Sequence, residues 1–192
     1  RGIARYLINK GADVNASDDN GETALMVAVS QKDYKTTGLL LKKGASVDPI
    51  NHKDESAMII AVKTSNYAMI RLLRRYGAGF EDIDRENNTP LAYALVNGLN
   101  KMAYYLIKKG ADADAKIHGK MPLLHYVIKK NSLAWVKLLI KHGAYPELTY
   151  PRGGLTPFQY AVALGHYSIV DYLLKRNVNY KRTFLVNGKD YN

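Results

Sequence analysis

The chain has 192 residues, of which 47% are hydrophobic, and it carries a formal net charge of +11 at pH 7. It contains no cysteine, which excludes disulfides, thiolate metal sites and cysteine nucleophiles. No apolar run approaches the roughly 18 residues of a membrane-spanning helix, and no signal peptide opens the chain at Arg1. We therefore expect no membrane span, and a reducing, cytoplasmic compartment is favoured.

One short pattern returns along the chain at a constant spacing. An apolar helix end leads into basic residues and then into a glycine followed by alanine, as in residues 106–111. The glycines of this pattern are Gly11, Gly44, Gly77, Gly110 and Gly143, which are always 33 residues apart. A constant period of this size predicts an array of stacked structural repeats. Glycine suits the end of each helix because it adopts a positive φ without steric cost.

The sequence predicts two helices in each repeat. Hydroxyl residues that can cap the first helix are Thr23, Ser56, Thr89 and Thr156. A small residue follows each capping residue, at Ala28, Ala61, Ala94 and Ala161. We expect neighbouring repeats to approach each other closely at these positions. Second helices, with apolar residues at the helical period, are predicted at 36–41, 69–73, 102–107, 135–140 and 169–174.

The motifs that fill this pattern are those of a known repeat. Residues 89–91 (Thr-Pro-Leu), 110–112 (Gly-Ala-Asp) and 11–15 (Gly-Ala-Asp-Val-Asn) resemble the ankyrin repeat at its first helix and at its β-turn. The resemblance extends from Ile3 to about Asn179. It implies an all-α ankyrin-repeat solenoid of stacked helix-turn-helix units, with hairpin loops along one edge and essentially no extended sheet.

The resemblance also sets the expected boundaries. We expect an ankyrin-repeat domain over residues 1–180, followed by a C-terminal tail or partial cap over 181–192. The domain divides into a C-terminal half repeat and five repeats, at about 1–17, 18–50, 51–83, 84–115, 116–150 and 151–180. Because residues 3–8 have the pattern of a second helix, we expect the chain to be part of a longer array.

Two departures from the ankyrin pattern affect the fourth repeat. The first-helix histidine, which in this family bonds to backbone, is matched only by His125, so we expect a structural role for that residue. Met121 precedes Pro122 where the other repeats have Thr or Ser, so a capping hydroxyl is missing. We therefore expect the hairpins of the fourth and fifth repeats to differ in shape from the others.

Much of the positive charge follows the repeat pattern. Basic residues of the last turn before a helix stop are Lys10, Lys42, Lys43, Arg74, Arg75, Lys108, Lys109, Lys141, Lys175 and Arg176. A cation at this place interacts favourably with the negative end of the helix dipole. We interpret the net charge as a structural and solubility feature, so nucleic-acid binding is the least favoured function.

The sequence contains no catalytic or metal-binding motif. The five histidines occupy different repeat positions, and there is no His-Glu-x-x-His pair, phosphate-binding loop or nucleophile elbow. We therefore expect a protein that is not an enzyme and that binds no metal, cofactor or small-molecule substrate. Tyr93, Tyr126 and Tyr160 share one first-helix position, which either core packing or partner contact would explain.

The resemblance to ankyrin-repeat proteins implies a monomeric protein–protein interaction module, a scaffold or adaptor, whose concave face is formed by hairpin tips and first helices. A targeting or regulatory segment of a larger enzyme or secreted effector is the alternative. The tips change from acidic or mixed in the early repeats to basic in the later ones, so we expect a partner with an acidic patch facing repeats four and five. The expected contact residues are Lys53, Arg85, Glu86, Lys116, His118, Lys120, Lys129, Lys130 and Arg152.

Overall fold

Short helices joined in pairs make up most of the molecule. The structure is a computed structural model, which describes residues 6–8, 10–150, 154–176, 184–186 and 189–191. The chain divides into two units, Arg1–Leu106 and Ile107–Asn192. Residues 6–8 are helical and precede the first complete helix pair.

Three helix pairs form the described part of the first unit, and the last of these helices ends just beyond the unit. The helices are α1 (Ala24–Ser30), α2 (Tyr34–Lys42), α3 (Ala57–Lys63), α4 (Tyr67–Arg75), α5 (Pro90–Val96) and α6 (Asn100–Lys108). Helix α1 packs against α3, α3 packs against α5, and α2 packs against α4. Leu25, Met58 and Leu91 are spaced by one repeat and are at most 1% exposed, so the first helices provide the centre of this core.

The first helices of the first unit begin at residues whose side chains cap them, as the sequence predicts. The hydroxyls of Thr23, Ser56 and Thr89 accept hydrogen bonds from the backbone N–H three residues further on, at 3.2–3.3 Å. Each cap satisfies one of the N–H groups that the first turn of a helix leaves without an internal partner. The predicted starts of α1, α3 and α5 are therefore confirmed.

The hairpins of the first unit are held by one repeated hydrogen-bond pattern. Asp18, Asn51 and Asp84 are spaced by one repeat, and the Oδ1 atom of each accepts two backbone N–H groups of its own hairpin at 2.9–3.0 Å. Neighbouring hairpins are also joined directly, because the backbone N–H of His52 donates to the carbonyl of Asn20 at 2.8 Å. One side chain and one inter-hairpin bond thus hold the backbone of these tips.

The second unit repeats the helix pairing. Its elements after α6 are β1 (Lys116–Ile117), β2 (Met121–Pro122), α7 (Leu123–Lys129), α8 (Leu133–Lys141), α9 (Pro157–Ala163), α10 (Tyr167–Leu174), β3 (Phe184–Val186) and β4 (Lys189–Tyr191). Helix α7 packs against α9, α8 packs against α10, and β3 pairs antiparallel with β4. A capping box between Thr156 and Gln159 begins α9.

The first hairpin of the second unit is built differently from those of the first unit. Ile117 stands one repeat after Asp84, and its side chain cannot accept the N–H bonds that Asp84 accepts. The bridge of Lys116 with Pro122 has the register of the bridges Ser17–Thr23 and Ile50–Ser56 in the first unit, and a second pair, Ile117 opposite Met121, extends it. The turn also differs, because His118 and Gly119 both have a positive φ. No side chain caps α7, which follows Pro122. The missing cap and the different hairpin shape are thus confirmed for the fourth repeat.

The second helix of a repeat ends at a glycine in the left-handed region. Gly44 has a φ of +89° and Gly110 a φ of +91°, and a Cβ added to either would meet no atom within 4 Å. The backbone conformation, and not a shortage of space, therefore requires glycine at these two positions.

The predicted fold class is confirmed, because helix pairs dominate both units and the strands are two or three residues long. No helix in the described ranges is long and apolar enough to cross a membrane. The repeat boundaries stay predictions, and parts of the half repeat 1–17 and of the tail 181–192 lie outside the described residues.

Ala94 gives a direct test of packing in the first unit. The residue lies on α5 and is 0% exposed, so Ala94→Leu forces extra methylene groups into a filled core. We expect the free energy of unfolding, measured by urea denaturation, to fall by about 1–3 kcal/mol. Ala134→Leu, on the exposed side of α8, should change it by less than about 0.5 kcal/mol. Equal stability of Ala94→Leu and wild type would contradict close packing at this site.

Candidate functional site

A cleft in the first unit is formed jointly by hairpin residues and first helices. We call it the hairpin cleft, and its volume is about 570 Å³. It is lined by Lys53, Glu55, Lys63, Asp84, Arg85, Glu86, Tyr93, Val96 and Asn97. Cations, carboxylates and one aromatic ring therefore face the same space.

Lys63, the last residue of α3, makes two contacts that shape the hairpin cleft. Its Nζ lies 2.6 Å from Oε1 of Glu55 and 5.0 Å from the centroid of the Tyr93 ring. The side chains of Lys63 and Glu55 are only 31% and 18% exposed, so salt screens this ion pair less than it screens a surface pair. The attraction of the ammonium group to the ring adds a second restraint. Lys63 is thus held in place before any partner arrives.

The three predicted contact residues of the first unit are brought together at the hairpin cleft. Lys53, Arg85 and Glu86 are all exposed and line it. The Arg85 side chain reaches back to the preceding tip, where Nε lies 3.8 Å from Oδ2 of Asp54 and Nη2 donates to the carbonyl of His52 at 3.5 Å. Because this ion pair is exposed, it adds little to stability, and Arg85 can exchange it for a carboxylate of a partner.

Two aspartates of the early hairpins accept hydrogen bonds from the backbone of their own loops. Asp84 is 6% exposed, and its Oδ1 accepts the N–H of Glu86 at 3.0 Å. Hydrogen bonds from the backbone N–H groups of Glu22 and Asn20 lower the pKa of the Asp18 carboxyl group. These two carboxylates hold the backbone of their hairpins, and Asp84 is buried where Glu86 is exposed.

The predicted contact residues of the second unit that the structure describes lie on the β1–β2 hairpin and at the C-terminal end of α7. Those that the structure describes are all exposed: Lys116, His118, Lys120, Lys129 and Lys130. His118 adopts a φ of +51° in the turn between β1 and β2, and Nζ of Lys130 lies 5.6 Å from the centroid of the Tyr126 ring. Arg152 lies outside the described residues. The structure therefore groups Lys116, His118 and Lys120 on one hairpin.

His125 has a structural role, as the sequence predicts. It is 0% exposed, and its Nε2 lies 3.0 Å from the carbonyl oxygen of Leu155. The ring packs against Tyr150 and Tyr160, with centroid distances of 5.7 and 5.3 Å. Burial lowers the pKa of His125, and the hydrogen bond to Leu155 partly opposes that effect. A neutral imidazole therefore joins α7 to the loop before α9.

The three tyrosines at one first-helix position are neither fully buried nor fully exposed, so contact with a partner stays a prediction. Tyr93, Tyr126 and Tyr160 are each partly buried. The rings of Tyr93 and Tyr126 lie beneath lysine ammonium groups, while that of Tyr160 packs against His125. The tyrosines thus pack with one side and remain open to solvent with the other.

The sequence does not reveal that Glu55, Lys63 and Tyr93 form one cluster. Lys63 follows Glu55 by eight residues, and Tyr93 belongs to the next repeat. No rule for helices or hairpins joins residues at these spacings. The signal that could have found them is the repeat register, which places the end of one first helix beside the middle of the next.

The hairpin cleft is lined by charged and aromatic side chains. Its lining includes no Ser, Cys or His that could form a nucleophile and base pair. Among the described residues, no group of three or more His, Cys, Asp or Glu could hold a metal ion. What the cleft offers is ion pairing, hydrogen bonding and the face of a tyrosine ring.

Comparison with known proteins gives a family match over most of the chain. A family model described as Ankyrin repeats (3 copies) matches residues 1–51, 39–117 and 114–183. None of the curated proteins matches the chain by sequence.

Several solved structures share the fold. The ankyrin repeat domain of Bcl-3, described as a unique member of the IkappaB protein family, has a TM-score of 0.74 and 22% identity, covering 93% of this chain and 80% of that one. An ankyrin repeat domain from Acinetobacter baumannii AYE has a TM-score of 0.73, 25% identity and 92% coverage of both chains. A chain from the complex of the predatory endopeptidase Bd0816 of Bdellovibrio bacteriovorus with immunity protein Bd3460 has a TM-score of 0.67, 25% identity and 91% coverage of both chains.

The neutral state of His125 makes stability depend on pH. Its pKa in the folded chain is below the ordinary value of 6.5, so the unfolded chain takes up the proton more readily. The contribution to stability is fully present above that value and is lost as the pH falls below it, through the folded pKa. We expect the free energy of unfolding to fall more in wild type than in His125→Gln or His125→Phe between about pH 7.5 and about pH 5.5.

The two variants separate the charge of His125 from its hydrogen bond. Gln can still donate to the carbonyl of Leu155, whereas Phe leaves that carbonyl without its partner. The Phe variant should therefore be less stable than the Gln variant by about 1–3 kcal/mol at both pH values. An unchanged pH dependence in both variants would assign the titration to another group.

Proposed function

The chain belongs to the ankyrin-repeat family, whose repeats are protein–protein interaction modules, and from this premise we propose that it is a non-enzymatic scaffold or adaptor. It binds a partner protein on the surface made by hairpin tips and first helices, which corresponds to the concave face of an ankyrin array. The loops of a rigid repeat stack are where residues vary at the least cost to stability.

The hairpin cleft is the observation that supports this function most directly. It combines an arginine in an exposed, exchangeable ion pair with the open side of the Tyr93 ring. Arginine and tyrosine are the residue types that most often dominate the binding energy of protein interfaces. Lys63 is already held by Glu55 and Tyr93, so binding costs little ordering of that side chain.

The partner presents an acidic patch to the second unit. Lys116, Lys120 and Lys129 are exposed, and none of them has a carboxylate within ion-pair distance among the described residues. Nζ of Lys130 lies 5.6 Å from the centroid of the Tyr126 ring. An acidic surface that approaches this group is attracted over several ångströms, which raises the association rate and sets the orientation.

A second candidate function is a targeting or regulatory segment of a larger enzyme or secreted effector. The similarity to a chain from an endopeptidase–immunity protein complex favours it, because that complex joins an enzyme to an immunity protein. An activity in a longer product of the same gene that is lost when residues 1–180 are deleted would support this candidate over a free-standing adaptor.

The partner is identified first and then used to test the hairpin cleft. The immobilised chain captures it from cell extract, and the purified partner is titrated by isothermal calorimetry. Arg85→Ala and Tyr93→Ala should each weaken binding by about tenfold, the usual effect of truncating a central interface residue. Arg71→Ala on α4 and Tyr167→Ala on α10 remove the same residue types from exposed positions outside the cleft and should leave binding unchanged. Equal losses in both sets would exclude the cleft.

The acidic patch is tested separately by charge reversal. We expect the combined variant Lys116→Glu, Lys120→Glu and Lys130→Glu to slow association by about tenfold or more at low salt, with a smaller effect at high salt. The matched control reverses three exposed lysines elsewhere, Lys43→Glu, Lys101→Glu and Lys141→Glu. If both triple variants slow association equally, only the net charge matters and the partner has no acidic patch that faces the second unit.

A further inference from the structure

A second cleft in the first unit lies between α2 and α4 and shares no residue with the hairpin cleft. We call it the second-helix cleft, and its volume is about 430 Å³. Three cations line it, Lys35, Lys42 and Arg75, together with the rings of Tyr34 and Tyr76. The hairpins contribute nothing to it, so a ligand here would not compete directly with a partner in the hairpin cleft.

Gly38 opens the second-helix cleft. The residues one and two repeats further on are Arg71 and Tyr104, both exposed, whereas Gly38 has no side chain to fill the space. A Cβ added to Gly38 would meet no atom within 4 Å, and its φ is not positive. Neither close packing nor backbone conformation therefore requires glycine in the middle of α2. Glycine inside a helix destabilises it relative to alanine, so Gly38 lowers the stability of α2. What Gly38 provides in return is the open space of the cleft.

The cations of the second-helix cleft have no counter-charge within the described part of the chain. No carboxylate lies within ion-pair distance of Lys35, Lys42 or Arg75 there, in contrast to Lys63. Three positive charges around one depression repel each other and raise the potential inside it. The charge therefore selects an anionic ligand.

The walls of the second-helix cleft also favour an apolar group in the ligand. Tyr34 is 49% exposed and Tyr76 is 37% exposed, although both are large and mainly apolar side chains. The lining also includes Leu72, which is 6% exposed and belongs to the core. An apolar group that enters the cleft would cover the two rings and this leucine. The ligand must therefore carry an apolar side chain next to its negative charge.

We propose that the second-helix cleft binds an acidic segment of a partner protein, with an aromatic side chain between Tyr34 and Tyr76 and carboxylates beside Lys35, Lys42 and Arg75. A peptide fits better than a nucleic acid, because the cations surround one depression instead of following a track along which phosphates could lie. This site is separate from the surface proposed for the main partner, and it gives the chain a second point of attachment.

The test uses a fluorescein-labelled pentapeptide, Glu-Glu-Phe-Glu-Glu, and measures its binding to the whole chain by fluorescence anisotropy at low salt. The variant Lys42→Glu with Arg75→Glu should weaken binding by about tenfold or more, since charge-assisted contacts are lost. The control variant Lys43→Glu with Arg71→Glu also reverses one lysine at the end of α2 and one arginine on α4. Both residues lie outside the cleft. It should leave the dissociation constant within about twofold of wild type. Equal losses in both double variants would overturn the proposal.

Gly38→Leu tests the site without the risk of unfolding. Leucine is a better helix former than glycine and enters open space, so the variant should melt at or above the wild-type temperature. It fills the second-helix cleft and should abolish binding of the peptide. Retained binding in this variant would overturn the proposal, as would a peptide with alanine in place of phenylalanine that binds equally well.

A labelled oligouridylate of ten nucleotides provides the comparison between ligand classes. We expect it to bind weakly and with equal affinity to the two double variants. If binding of the oligonucleotide depends on Lys42 and Arg75 and binding of the peptide does not, the peptide assignment is overturned in favour of nucleic acid. Failure of the peptide to bind wild type would equally overturn it.

Discussion

Helices of seven and nine residues are too short to be stable alone, so this fold depends on packing between neighbouring pairs. In the first unit, α3 contacts both α1 and α5, and its residues Met58, Ile59 and Ala61 are fully buried. Most side chains of α3 are therefore committed to packing. The positions open to function are the hairpin tips, the few exposed or partly buried positions of the first helices, such as Tyr93, and the exposed sides of the second helices, and the two clefts are found there.

The hairpins show how binding residues can vary without disturbing this packing. Asp18, Asn51 and Asp84 supply the acceptor for two backbone N–H groups of each loop, so these bonds do not involve the side chains of the neighbouring tip residues. Lys53 and Arg85 project from loops that are already closed. At Ile117 the side-chain acceptor is missing, and the backbone pairing that the hairpins at Ser17 and Ile50 also contain is extended by one residue pair. Lys116, His118 and Lys120 are exposed on this hairpin as Lys53 and Arg85 are on the earlier ones.

The parts of the structure that the sequence predicts are those that depend on one residue and its local backbone. The caps of α1, α3 and α5, the glycine at the end of α2 and the buried His125 follow from residue type and repeat position. The hairpin cleft does not, because Glu55, Lys63 and Tyr93 meet only when two repeats stack. The role of Asp84 was hidden for a related reason. A charged residue in a tip looks the same in sequence whether its carboxylate faces solvent or its own loop.

The cations at helix ends illustrate why position alone does not decide between structure and function. Lys42 and Arg75 lie in the last turns of α2 and α4, where the helix dipole favours a positive charge whichever way the side chain points. The dipole therefore explains their presence, but it does not explain why they meet Lys35 around one cleft that Gly38 leaves open. Stabilisation of a helix end is a local effect that Lys43 would supply equally well. Convergence on a common space is a property of two stacked helices that the dipole does not require, and the proposed ligand site rests on it.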